Sequence, residues 1–206
     1  MKKTLTAMIL VFALAFCLAA CGSSSAAETA AEEATAPEMP EAPITPGEAA
    51  VDVGYFTVTV PEGWLGVGEY EIDGNDQYSL APYSYLIIKG GENAQDQYVK
   101  PTLSIYYTPS KSAQELLESN MAPVDENTEF EVTVGGKKCP AYHSVINLSS
   151  EGEDPFVMEY DNIFIPATDS SCFRVSMLTF VTSDGETGVS AANEDVIAIM
   201  ESLKKN

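Results

Sequence analysis

Nucleophilic catalysis by a serine requires a base that takes the proton of the hydroxyl, and histidine is the usual base. The chain contains one histidine, His143. It lies in a stretch with strand periodicity, so the adjacent Ser144 would point to the opposite face of that strand. No GxSxG sequence precedes a predicted helix. We therefore expect His143 to be a surface or core-edge residue and the protein not to be an enzyme.

Acidic side chains are the second group that could do chemistry, because Asp and Glu number 31 against 10 Lys and Arg. Two acidic loops, 71–76 and 151–154, could offer oxygen ligands to calcium, and the weak metal candidates Asp73, Asn75 and Asp76 lie in the first. Neither loop has the ligand spacing of an EF-hand, and Gly and Asn favour an ordinary turn. We expect no metal and no cofactor.

Two cysteines, Cys139 and Cys172, lie in the C-terminal half. The strand predicted at Phe156–Ile165 would separate their strands, which places the two residues about 9 to 10 Å apart. A disulfide requires Cα atoms within about 7 Å. We expect both thiols to be free, and one histidine without a CxxC sequence does not indicate zinc.

A candidate binding surface combines several tyrosines with Arg174, the only arginine of the chain. Flat aromatic side chains could contact a carbohydrate or a peptide, or they could simply cover a sheet edge. Arg174 could lie opposite Glu159 and Asp161, either as a surface ion pair or as part of a polar binding patch. The tyrosines of this surface are Tyr70, Tyr78, Tyr83, Tyr85 and Tyr98.

Composition excludes several classes of protein. The net charge of −21 disfavours binding to nucleic acid or to an anionic lipid surface and favours solubility, cationic partners or divalent metals. A hydrophobic content of 45%, with ten Tyr and eight Phe, indicates a folded core.

The N-terminal residues 1–20 have the pattern of a signal peptide. Lys2 and Lys3 precede the apolar run Leu5–Leu18, which is shorter than the roughly 20 residues of a membrane-spanning helix. One interpretation is an ordinary secretory signal that is cut after Ala20.

The sequence LAAC at residues 18–21 resembles the lipobox of bacterial lipoproteins. The resemblance implies that cleavage follows Ala20 and that the Cys21 thiol carries a diacylglycerol group. Anchoring by two or more acyl chains, palmitate among them, is stable. We therefore expect a protein anchored in the cell membrane that faces the extracytoplasmic side.

Residues 21–50 are predicted to be lipidated Cys21 followed by a disordered tether rich in Ala, Glu and Pro. The segment has no aromatic residue, and its prolines recur at every third position, which favours extended polyproline II. These prolines are Pro37, Pro40, Pro43 and Pro46.

Residues 51–206 are predicted to be a single α+β domain, with 8 basic and 25 acidic residues and thus a charge of −17 (8 − 25). Alternation is clear at Phe56–Val60 and at Phe130–Val134, which is followed by a Gly135-Gly136 hairpin turn. The further predicted strands are Tyr83–Ile88, Val99–Tyr107, Cys139–Leu148, Phe156–Ile165 and Cys172–Val181.

Two helices complete the predicted domain. Ser112 and Glu115 form a capping box for a short helix that ends near Met121. An amphipathic helix is predicted at Ser190–Lys204, with basic residues at its end that complement the helix dipole. We expect these helices to pack on an antiparallel sheet of about six to eight strands.

The opening sequence YFTVTVPEGW at residues 55–64, the antiparallel meander and the terminal helix resemble the Mog1/PsbP-like fold, including lipoproteins similar to DcrB. The resemblance covers roughly residues 53–205. Domains of this fold are mostly non-catalytic accessory or binding domains, so it implies a fold and no catalytic residues.

The most consistent function is that of a membrane-anchored accessory lipoprotein whose domain binds an envelope protein or peptide. One alternative is a module that binds a small solute, a sugar or a cation. The other is an envelope hydrolase that uses paired carboxylates.

Overall fold

All helices and strands of the described residues lie between Pro37 and Asn206. The signal peptide, the lipid attachment site Cys21 and residues 22–38 of the predicted tether lie outside the described residues. The residues that the computed structural model describes are 39–72, 77–120, 126–149, 154, 156–183 and 185–206.

Antiparallel strands dominate the described part of the chain, together with two α-helices and a short 3₁₀ helix. This content agrees with the predicted α+β class, and the predicted strands overlap the observed ones. In chain order the elements are β1 Ile44–Pro46, β2 Ala49–Asp52, β3 Phe56–Val60, β4 Trp64–Ile72, β5 Tyr78–Lys89, the 3₁₀ helix Ala94–Tyr98, β6 Thr102–Thr108, α1 Ala113–Asn120, β7 Glu126–Val134, β8 Lys137–Asn147, β9 Phe156–Thr168, β10 Ser171–Thr182, β11 Gly185–Thr187, α2 Glu194–Ser202 and β12 Lys204–Lys205.

The strands form two sheets. Within the described residues, the large sheet has nine strands in the order β1-β4-β5-β6-β10-β9-β8-β7, with β11 paired to β10. The small sheet has the order β12-β3-β2. The large sheet thus exceeds the predicted six to eight strands, because segments of three residues such as β1 and β11 are too short to show alternation.

The sheets begin before Val51, within the segment predicted to be tether. Ile44–Pro46 pairs with β4, and Ala49–Asp52 pairs with β3. Ala42 also packs on buried side chains of β4 and β5. A polyproline II segment has no backbone hydrogen bonds of its own, whereas the free edges of β4 and β3 offer them. The described end of the predicted tether is therefore extended and paired.

The main core lies between the large sheet and a layer made of α2 and the small sheet. We call this side of the large sheet the core face and the opposite side the outer face. The alternating apolar residues Phe56, Val58 and Val60 are at most 1% exposed. The core side of α2 is formed by Val196, Ile199 and Met200, as its periodicity predicted.

The helix α2 is shorter than predicted at both ends. Its N-cap is Asn193, whose side chain accepts hydrogen bonds from the backbone N–H groups of Asp195 and Val196. Lys204 and Lys205 were predicted to end the helix and complement its dipole. They instead form β12, because the extended chain pairs its backbone with the edge of β3.

Helix α1 packs on the outer face over β8, β9 and β10. Leu116 and Leu117 are buried there against Tyr142 and Phe164. The predicted capping box is confirmed: Ser112 Oγ accepts from the Glu115 N–H at 3.3 Å, and the Ser112 N–H donates to Glu115 Oε2 at 2.8 Å.

Candidate functional site

The strand β7 forms one edge of the large sheet. Among the described residues, only β8 pairs with it. The predicted hairpin turn is confirmed, since Gly135 and Gly136 have φ values of 56° and 76°, as in a type I′ turn. The N–H of Gly135 donates to Glu201 at 3.0 Å, which fixes the turn to α2.

The hairpin register determines which backbone groups of β7 face the free edge. Val134 and Lys137 flank the two-residue turn and therefore form a hydrogen-bonded pair. Because such pairs alternate with non-hydrogen-bonded ones, the N–H and C=O groups of Glu129, Glu131 and Thr133 point away from β8. An extended peptide could pair with these groups.

An open groove of about 660 Å³ lies beside this edge on the core face. Its apolar part contains Phe130 and Val132 of β7 and Ile197 of α2, all half-buried. At its polar part, Nδ1 of His143 lies 2.9 Å from Oδ1 of Asp161 on the neighbouring strand. The groove can therefore accommodate apolar side chains at one part and a hydrogen-bonding group at another.

The histidine and the adjacent serine are separated as predicted. His143 lines the groove on the core face, whereas Ser144 donates its hydroxyl to Asn127 on the outer face. Strand alternation explains the separation, since neighbouring residues point to opposite faces. Ser144 and His143 therefore do not form a nucleophile and base pair.

The surroundings of the free edge are acidic. Glu129 and Glu131 alternate along β7, and Asp161 lies in the groove. The Glu131 carboxylate accepts from Lys138 at 2.7 Å, and this hydrogen bond raises the pKa of Lys138. Acidic groups on this edge favour a partner segment that carries Lys or Arg.

The tyrosines of the predicted binding surface are dispersed. Tyr70 and Tyr78 pack edge to face with ring centroids 6.4 Å apart, and Tyr98 is 70% exposed on the 3₁₀ helix. Tyr83 lies at the surface of β5. Tyr85 does not belong to a surface: it is 4% exposed and packs in the main core, where burial raises the pKa of its phenol.

The arginine of that surface lies elsewhere than predicted. Arg174 pairs with Phe164 on β9 and with Tyr106 on β6. Asp161 pairs with the buried core residue Met177, so Arg174 and Asp161 lie on opposite faces of the sheet. The proposed pairing of Arg174 with Glu159 and Asp161 is therefore wrong, because Arg174 stands opposite Phe164, and the offsets of three residues to Asp161 and five to Glu159 are odd.

The guanidinium of Arg174 instead lies 4.6 Å from the ring centroid of Tyr106. Tyr106 was not singled out in the sequence. The signal that could have found it is the alternation of β6, in which Leu103, Ile105 and Tyr107 are buried. Tyr106 must then face the opposite side, toward Arg174.

The predicted metal candidates Asp73, Asn75 and Asp76 lie outside the described residues. Of the second acidic loop, only Asp154 is described. In the described ranges, no group of three or more His, Cys, Asp or Glu residues could hold a metal ion.

The two cysteines are buried and free. The strand β9 lies between their strands, which confirms the predicted strand order. Cys139 packs in the main core on the core face, whereas Cys172 packs under α1 on the outer face. Burial raises the pKa of the Cys172 thiol to about 12.

Both helices in the described part of the chain are too short and too polar to cross a bilayer.

Comparisons with known proteins show distant similarity only. No protein-family model matches the chain, and no curated protein matches it. The chain is similar to a structure from Bacteroides thetaiotaomicron at 16% identity and a TM-score of 0.40, with 81% of this chain and 48% of that one covered. It is also similar to LpqN, involved in cell envelope biogenesis of Mycobacterium tuberculosis, at 16% identity and a TM-score of 0.33, with 78% and 90% covered. The chain spans about half the length of the first structure, and scores this low assign neither a fold family nor a function.

Proposed function

We propose that this protein is a lipid-anchored envelope protein whose domain binds an extended segment of a partner protein. The resemblance of residues 18–21 to a lipobox supports anchoring through Cys21, with the domain on the extracytoplasmic side. The resemblance to Mog1/PsbP-like domains supports a non-catalytic binding role. The main evidence for the binding site is the free edge of the nine-residue strand β7, which lies beside an open groove.

Binding would proceed by strand addition. The partner segment pairs its backbone with the outward N–H and C=O groups of Glu129, Glu131 and Thr133. Alternate side chains of the added strand then point to the core face, where Phe130 and Ile197 line the groove. The carboxylates along β7 favour a segment with basic residues, and charge of this kind mainly increases the rate of association.

A proline at position 129 tests the edge directly. Proline removes one outward N–H group, and it is tolerated at a sheet edge where no ladder hydrogen bond is lost. Glu129→Ala is the matched control, because it removes the same carboxylate and keeps the N–H group. Full-length lipidated wild type and both variants are purified from crosslinked cells, and the captured proteins are identified by mass spectrometry.

We expect wild type and Glu129→Ala to enrich the same envelope protein and Glu129→Pro to lose it, while the thermal melts of the two variants coincide. Capture that Glu129→Pro leaves unchanged, or no specific capture by the wild type, would overturn the proposal. A Cys21→Ala protein should retain capture in detergent extracts and lose its membrane fraction. Retention in the membrane fraction would contradict the lipid anchor.

A further inference from the structure

The pairing of β5 with β4 is irregular at one place, and side chains there point to the outer face of the large sheet. The register with β4 shifts between Gly68 and Tyr70, so the segment Ala81–Ser84 stands opposite Glu69 alone. A backbone hydrogen bond of 2.9 Å from Tyr55 holds this bulge in place. Bulges re-aim side chains and are over-represented beside functional sites.

The carboxylate of Glu69 is desolvated at the bulge. The side chain of Ser84, itself 3% exposed, hydrogen-bonds to it, but Oε2 of Glu69 is buried without a hydrogen-bond partner among the described residues. Burial raises the pKa of Glu69, and the hydrogen bond to Ser84 opposes this effect. An unsatisfied buried acceptor destabilises a fold, and a ligand that brings a donor to Oε2 would offset this cost.

Two phenols and a second carboxylate lie around Glu69. The hydroxyl of Tyr83 donates to Oε2 of Glu71 at 2.6 Å. This hydrogen bond, together with the charges of Glu71 and Glu69, raises the pKa of Tyr83. Burial and the charge of Glu69 raise the pKa of Tyr106, whereas Arg174 lowers it. Glu69 is thus electrostatically coupled to both tyrosines, and Arg174 lies on the far side of Tyr106.

These side chains form a row across four strands. Ser84, Tyr106 and Arg174 are cross-strand neighbours on β5, β6 and β10, and Glu69 extends the row onto β4. Three strand spacings give the row a length of about 14 Å. All four strands are paired on both sides within the large sheet, so a ligand here is recognised by side chains and not by strand addition.

We propose that this row, which we call the Glu69 row, binds a neutral oligosaccharide. Sugar hydroxyls both donate and accept, so one ligand can donate to Oε2 of Glu69 and accept from the guanidinium of Arg174. The ring of Tyr83, which is 36% exposed, offers an apolar contact to a sugar ring, whereas the guanidinium of Arg174 lies over the ring of Tyr106. The row has carboxylates at one end and a guanidinium at the other, so a neutral ligand with both donors and acceptors can match both ends.

Substitutions in the Glu69 row can separate ligand binding from the stability of the fold. Glu69→Gln removes the desolvated charge and should leave the fold intact or stabilise it, while it loses an acceptor for the ligand. Arg174→Lys keeps the positive charge but loses the planar fork of donors. Glu118→Gln is the matched control, because it neutralises an exposed glutamate of α1, on the same side of the sheet and outside both the row and the edge of β7.

The test is calorimetric titration of the full-length protein in detergent with maltotetraose, cellotetraose and N-acetylchitotetraose, each in turn. We expect at least one of them to bind the wild type and Glu118→Gln equally. Its affinity should fall at least tenfold in Glu69→Gln and in Arg174→Lys, with thermal melts verifying that both are folded. Binding of none of the three, or equal binding by folded Glu69→Gln, would overturn the proposal. The result is independent of partner capture at β7.

Discussion

The indole Nε1–H of Trp64 donates a 3.1 Å hydrogen bond to Oδ2 of Asp195, across 131 residues of sequence. Trp64 is the first residue of β4, and Asp195 lies in the first turn of α2. Lys89 pairs with Trp64 across β4 and β5 and places its ammonium 4.0 Å from the same carboxylate. The bond therefore joins the large sheet to the C-terminal helix that covers its core face.

Loss of this hydrogen bond should weaken the packing of α2. We expect Asp195→Ala to lower the free energy of unfolding by about 1 kcal/mol, because it removes the acceptor and a negative charge at a helix N-terminus. Lys89→Ala is the control, since its exposed ion pair contributes only about 0 to 1 kcal/mol. Urea unfolding followed by fluorescence of Trp64, the single Trp, measures both. A larger loss in Lys89→Ala than in Asp195→Ala would contradict this assignment.

The sequence predicted the long elements and failed at the short ones. Alternation over Phe56–Val60 and the amphipathic stripe of α2 correspond to large buried surfaces, so they are visible in the residue pattern. Ile44–Pro46 and Lys204–Lys205 carry too few residues for a period, and their conformation depends on a neighbouring strand edge. Contacts of this kind are tertiary and have no local signal.

The candidate sites were also only partly predictable, because local elements are visible in the sequence and tertiary contacts are not. The hairpin that contains β7 is visible in the sequence. That β7 lies at the edge of the sheet is not, because it depends on the order of all the strands. Tyr85 was misplaced because strand alternation does not reveal the bulge at Ala81–Ser84. Glu69 gave no signal for a related reason: one glutamate among many acidic residues becomes distinctive only when a bulge buries it.

The stability of the protein should depend on the protonation of Glu69. Because burial raises its pKa in the folded state above the ordinary value of 4.5, the folded protein holds this proton more tightly than the unfolded chain does. Stability is therefore highest below pH 4.5 for this group and falls as pH rises through the folded pKa. The neighbouring charged groups, Glu71 and Arg174, and the phenols Tyr83 and Tyr106 are the same in wild type and variant.

Glu69→Gln has no proton to lose at this position. We expect its melting temperature to exceed that of the wild type at about pH 7, with the difference disappearing near about pH 4. Paired thermal melts by circular dichroism at the two values measure the effect. A Glu69→Gln melt below that of the wild type at neutral pH would show that the carboxylate is stabilised in the folded state.

The thiol of Cys172 should be unreactive until the protein unfolds. Its pKa of about 12 leaves about one thiolate in ten thousand at pH 8, and only the thiolate is nucleophilic. We expect iodoacetamide to modify Cys172 and Cys139 only in denaturant, as mapped by mass spectrometry. No reductant should be needed for this modification. Absence of both free thiols in the unfolded, unreduced protein would contradict the position of β9 between their strands.

The packing of α1 on the outer face gives the largest expected loss of stability. Leu117 is 4% exposed against Tyr142 and Phe164, so Leu117→Ala should leave a cavity that lowers the free energy of unfolding by about 2 to 5 kcal/mol. Leu80→Ala is the matched control, because Leu80 is 51% exposed on β5 and its truncation should change stability by less than about 0.5 kcal/mol. Urea unfolding of the two variants measures the difference. Equal losses of stability would mean that Leu117 contributes no more to folding than an exposed strand residue. The packing of α1 would then not stabilise the position of Phe164, the cross-strand neighbour of Arg174.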